Sequence, residues 1–224
     1  MLSLISAALL FVAIHLLVSG TTLRDHLVRM LGEKLYLALF ASASVGLLAW
    51  LIIAFVHVRV IALTPWMGER WQAAVLVFLA FELIVLGVST KSPTAVGGEA
   101  LLNSAEPARG ILRITRHPAL CGIALWAVTH MAFNPHADCL WFFGAFAVVA
   151  LAGPYAIDAK RARKHGEAWQ RFAMKTSVIP FAAILQGRNR LAIAELGWWK
   201  MLIAAVIYAG FLHAHAHMFG VAPV

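Results

Sequence analysis

Six apolar runs, each close to the ~20 residues that cross the hydrocarbon core of a bilayer, dominate this chain of 224 residues. They cover roughly 2–20, 35–57, 71–88, 118–134, 139–157 and 197–217. Only 12% of the residues are charged, where a soluble domain carries roughly 25%. The sequence therefore predicts an all-α polytopic membrane protein of six transmembrane helices, with a short amphipathic cytoplasmic helix. Residues 1–224 read as a single domain, with a basic cytoplasmic segment over 158–196. The first run, Leu2 to Leu17, lacks a basic leader and a small-residue cleavage site, so it reads as a retained helix.

The net charge of +8 is that of a chain with basic loops, not of a nucleic-acid binder. Of the 18 Lys and Arg residues, 16 fall on one side of the six-span arrangement and only Arg59 and Arg70 on the other. That bias places both termini outside the cytoplasm. Anionic lipid accounts for the charge, and the bilayer itself is the expected partner. The short Pro135–Asp138 connection predicts an antiparallel hairpin of spans four and five. Trp66, Trp71, Trp141, Trp198 and Trp199 stand near span ends as an aromatic belt. The loop 89–117 reads as part of a cytoplasmic lid. Segment 158–176, with Trp169 and Phe172 among its charges, reads as an amphipathic helix on the cytoplasmic face. Cys121 and Cys139 lie near opposite ends of their span pair, which argues against a disulfide.

Ionisable groups inside the runs are costly to bury and mark candidate sites. His15 shares a helical face with Ser19, Thr22 and His26. It reads either as a structural histidine bonded to a carbonyl or to Ser19, or as an axial ligand to a metal centre. Glu82 lies near the middle of span three, at a depth close to that of His15, so the two could pair; a protonated carboxyl bonded across helices is the alternative. Arg116 and His117 open span four at a proline and could face headgroups or an anionic cofactor. His130 shares its face with Trp126 and Asn134, a wall for a planar ligand or simple packing. His213 and His217 stand together at the end of span six as a weak external metal site, while His57 and His136 receive no role.

The segments HLLVSGTTLRDHLVRMLGEKLYLALFASAS and RHPALCGIALWAVTHMAFN resemble the NnrU family, multi-span bacterial membrane proteins found with denitrification genes. That family is similar to zeta-carotene isomerase, understood to hold haem b through membrane histidines. The resemblance implies haem b as cofactor, with His15 and His130 as metal ligands and Arg116, His117 and Glu82 in the cofactor site. It further implies a role in nitrogen-oxide metabolism, where nitric oxide is handled, a location in the bacterial inner membrane with both termini periplasmic, and a partner among the membrane proteins of that metabolism. The isomerase has a cysteine three positions before its second histidine, where this chain has Ala127. Ideal helices place His15 and His130 ~14 Å apart in depth, which makes His117 the fallback partner of His15.

The RHP opening and the later HGEAWQRFAMKTSVIPF also resemble isoprenylcysteine and phospholipid methyltransferases, which implies S-adenosylmethionine as an alternative cofactor. Their adjacent acidic pair is missing, since Asp158 and Glu167 stand apart. A third alternative is a non-catalytic accessory subunit whose polar stripe binds a partner's helix.

Overall fold

The computed structural model describes residues 1–58 and 69–220; Arg59 and Trp66 lie outside them. The elements are helical throughout: α1 (Leu2–Ala13) running into a π-helical turn (Ile14–Val18), α2 (Thr22–Leu31), α3 (Glu33–Val56), α4 (Arg70–Val88), α5 (Pro118–Phe133), α6 (Ala137–Lys175), a one-turn α7 (Ala182–Leu185) and α8 (Trp198–Phe219). Helices α3, α4, α6 and α8 are long and apolar enough to cross a membrane. Counting the bent pair Leu2–Val18 and Thr22–Leu31 as one broken span gives five. The 16 residues of α5 are apolar but rise only about 24 Å, short of the ~30 Å core. The structure thus supports four to five crossings where the sequence pattern suggests six.

The first span differs most from expectation. Its helix bends by 80° where a straight run is expected to residue 20. The polar sequence Ser19-Gly20-Thr21 is the reason. Thr21 donates its hydroxyl to the Leu17 carbonyl at 2.6 Å and accepts the Leu23 N–H at 3.2 Å, so one side chain closes one helix and caps the next. Backbone groups freed at a break inside lipid need such local partners. The polar stripe therefore ends at the bend, with Thr22 and His26 on α2 and His15 on the preceding turn.

Two compact units divide the chain. In the first (1–68 and 127–156), Leu4, Ala7, Ala8 and Phe11 of α1 bury against α3. Trp50 Nε1 donates to Ser3 Oγ at 2.9 Å. Phe55 stacks on Phe142 with ring centres 4.4 Å apart.

In the second unit (69–126 and 157–224), α4 packs on α8, and Tyr208 donates to the Ala74 carbonyl at 2.8 Å. Two glycines allow α4 and the start of α5 to touch: a Cβ at Gly87 would meet Ala119 N at 2.5 Å, and one at Gly122 would meet Ala80 O at 2.6 Å. Small residues at helix contacts are the usual device where lipid supplies no hydrophobic drive between helices.

Segment 158–176 does not form one helix: α6 breaks at Gly166 (φ 47, ψ −121), where two helices meet at a kink, and the second reaches Lys175. Its aromatic residues do not face lipid. Trp169 and Phe172 are buried with Leu102 and Ala108 of the 89–117 loop, which is ordered and folded onto them. That loop is clamped again at Arg113, which donates to Glu195 at 2.8 and 3.0 Å and to Asn189 at 2.8 Å. Trp71, Trp141, Trp198 and Trp199 are exposed, as belt residues should be.

Two outcomes test this packing. Gly122→Ala should cost about 1–3 kcal/mol by overpacking, seen as a lower melting temperature in detergent, whereas Gly46→Ala, with open space around it, should be neutral or stabilising. The Arg113 guanidinium and the Gly110 N–H together hold the Glu195 carboxyl down to about 2 from its ordinary 4.5. A depressed carboxyl stabilises fully above its unfolded value and loses that contribution as pH falls. The melting-temperature gap between the wild type and Glu195→Gln should therefore be constant above about pH 5 and shrink between 4.5 and 2.

Candidate functional site

His15 sits in the π-helical turn, a local geometry over-represented at functional positions. Its Nδ1 lies 2.7 Å from the Phe11 carbonyl. A carbonyl only accepts, so Nδ1 carries the proton and Nε2 keeps its lone pair. Rings crowd the imidazole: Phe11 at 4.4 Å and, edge-on, Phe40 at 5.5 Å. This arrangement satisfies the local structural reading of His15 and also leaves a ligand atom in reserve.

His130 lies on α5 in the same unit, stacked on Phe143 of α6 at 4.5 Å and 20°. Asn134 donates to the His130 carbonyl at 3.1 Å, ending the helix. Ala127, one turn earlier, is fully buried. A continuous series of ring contacts joins the two histidines: Phe11 to Phe146 at 5.4 Å, Phe146 to Phe142 at 5.3 Å, and Phe142 to Phe143 at 5.0 Å. His15 and His130 thus end a shared aromatic wall made by α1, α5 and α6. Imidazole donors beside flat apolar faces fit a haem in their chemistry.

The remaining expected site residues lie in the second unit. Glu82 Oε2 on α4 is buried and has no hydrogen-bond partner among the described residues. Arg116 and His117 meet a residue that sequence reasoning passed over. Asp158 of α6 accepts from Arg116 Nε at 2.8 Å and Nη2 at 2.6 Å through Oδ2, and its Oδ1 lies 2.7 Å from His117 Nε2. His117 is 3% exposed, and its ligand nitrogen is thus engaged in this clamp. Around it, Thr115 donates to the Val178 carbonyl at 2.8 Å and the Arg116 N–H to the Ser177 carbonyl at 2.9 Å. A hairpin register would have found Asp158, because it stands opposite the Arg116-His117 pair when spans four and five run antiparallel.

His213, His215 and His217 form no three-ligand cluster among the described residues; His215 instead packs on Phe219 at 4.9 Å. His136, given no role from sequence, does join a cluster with Asp138 and Cys139.

Asp158→Asn would leave the mostly buried Arg116 guanidinium and the His117 ring facing a neutral amide. Removing one partner from a buried ion pair costs about 3–5 kcal/mol, and the slight exposure of these groups sets the lower end as the expected loss. Unfolding in detergent should show it, while His130→Ala should cost less.

The curated relatives include the 15-cis-zeta-carotene isomerases of Zea mays, 28% identical over 200 residues, and of Arabidopsis thaliana, 29% identical over 197. Each alignment covers 82% of this chain, and the chain spans about half the length of these relatives. No solved structure matches significantly. The NnrU protein family model matches residues 3–223, nearly the whole length, and the chain belongs to the NnrU family.

Proposed function

We propose that this protein holds haem b within the membrane, with His15 and His130 as its ligands. One observation carries the reading: the Phe11 carbonyl fixes His15 in the tautomer whose Nε2 is free to ligate. Metal-ligating histidines commonly donate their other N–H in this way, which fixes ring orientation and raises basicity. Bound there, haem supplies a redox-active iron. The chain's own residues do the rest. Phe11 and Phe40 restrain the His15 ring, Phe143 restrains His130, and the aromatic wall between them excludes water.

The protein acts, in this reading, in the nitrogen-oxide metabolism that accompanies denitrification. It lies in the bacterial inner membrane, with six crossings and both termini outside the cytoplasm. The bent first helix and the short α5 each count as one crossing in that topology. The alternative of S-adenosylmethionine clamped by Arg116 and His117 is less favoured, because Asp158 already occupies both donors.

The relatives favour a second reading, in which the same site isomerises a cis double bond of a polyene entering from the lipid. Added 15-cis-zeta-carotene converted by the haem-loaded protein would support it, and an unchanged isomer ratio would remove it.

The haem reading is tested by absorption of the detergent-purified protein after haem supplementation. The wild type should show a Soret band with one haem per chain. His15→Ala and His130→Ala should each shift that band or lose most of it, while His57→Ala, whose ring makes a similar carbonyl bond, leaves it unchanged. A wild-type spectrum without a Soret band would reject the assignment.

A further inference from the structure

The connection between α5 and α6 carries three side chains of metal-ligating type at one point. Ligand atoms of His136, Asp138 and Cys139 all lie within 4.8 Å of one another. Asp138 is 4% exposed and Cys139 7%, while His136 is half-buried. Asp138 Oδ1 is buried and has no hydrogen-bond partner among the described residues. A buried carboxylate oxygen with nothing to accept from is costly, and in native structures it calls for a missing partner.

We propose that His136, Asp138 and Cys139 form a binding site for a borderline divalent cation of the zinc type. The donor set selects this class: thiolate and imidazole together favour zinc and its neighbours over magnesium or calcium, which take all-oxygen shells. In a tetrahedral zinc site, ligand atoms stand roughly 3.3–3.8 Å apart. The present spacing therefore needs to close by about 1 Å, within the reach of side-chain rotation.

Charge balance supports the assignment. The cation displaces the Cys139 thiol proton to solvent, and thiolate, carboxylate and dication sum to zero. A buried group that stands orphaned becomes part of a neutral cluster. The positive end of α6 opposes a cation, but Asp138 and Cys139 bring two anionic ligands into its first turn and outweigh a partial charge. The half-buried His136 gives the ion a route from the hairpin's polar edge. Three protein ligands leave a fourth position for solvent. This site shares no residue with the proposed haem ligands and does not depend on them.

The experiment uses the full chain in detergent, purified through a histidine-free tag, in the His15→Ala/His130→Ala background so that haem does not mask the spectrum. Titration with Co2+ should give visible bands of four-coordinate cobalt and a near-ultraviolet sulfur-to-cobalt band, saturating at about one ion per chain and bleached by Zn2+. Cys139→Ser should abolish the sulfur band. Asp138→Asn and His136→Ala should weaken binding by at least about 100-fold, and His213→Ala/His217→Ala should change nothing. A missing sulfur band, or one that survives Cys139→Ser, overturns the proposal. A second measurement needs no substitution. Zn2+ should protect Cys139 from alkylation in the wild type while Cys121 reacts as before, and unchanged labelling of Cys139 would also overturn it.

Discussion

A hydrocarbon solvent offers no hydrogen bonds, and most of the architecture follows from that one deficit. Long helices satisfy their backbone internally, so α3, α4 and α8 need bury few of their apolar side chains in protein. Each departure from a straight helix then needs its own local remedy. The break after Val18 shows the pattern. Ser19 N–H reaches back to the Ile14 carbonyl at 3.0 Å in the π turn, and Thr21 satisfies a carbonyl on one side and an N–H on the other. The same deficit governs His15, whose Nδ1–H donates to the Phe11 carbonyl at 2.7 Å.

The polar segments obey a different constraint. Their charges are consumed in pairs that tie loops to helix ends. Arg161 reaches both Glu99 and, at 2.7 Å, the Ala95 carbonyl. Arg113 grips both oxygens of Glu195 with two nitrogens, whereas Arg116 sends two nitrogens to the single Oδ2 of Asp158. Bidentate arginine–carboxylate geometry fixes orientation as well as distance. The basic character that lets the sequence be read as a topology signal is thus, in the second unit, also the mortar of the fold. Lys164 and Arg163 remain exposed to meet anionic lipid, as does Arg171 beside Glu167 at 3.7 Å.

Hydropathy made the helices legible, because a run of about 20 apolar residues has few alternatives. The boundaries of α3, α4 and α8 lie within two residues of the sequence reading. It failed where composition and geometry part company. The run over 2–20 has the right length and still breaks, since hydropathy averages over Ser19 and Gly20 and stops short of Thr21, which caps the next helix. Trp169 and Phe172 read as membrane-facing because their partners, Leu102 and Ala108, lie over 60 residues away in a loop with no periodic pattern. Asp158 was missed for a related reason: an acidic residue at a span end looks solvated until the hairpin register sets it beside a guanidinium and an imidazole.

The two histidine-bearing ends of the first unit separate structural from chemical demands on the same residue type. His57 and His15 make the same i–4 carbonyl bond, at 2.8 and 2.7 Å. His57 makes it at the exposed end of α3, where water can take the other nitrogen. His15 makes it half-buried, with the Phe11 and Phe40 rings against its own. An identical local bond thus sits in the open at one site and against aromatic rings at the other. That inequality, more than the presence of histidine, is what makes His15 the ligand to test first.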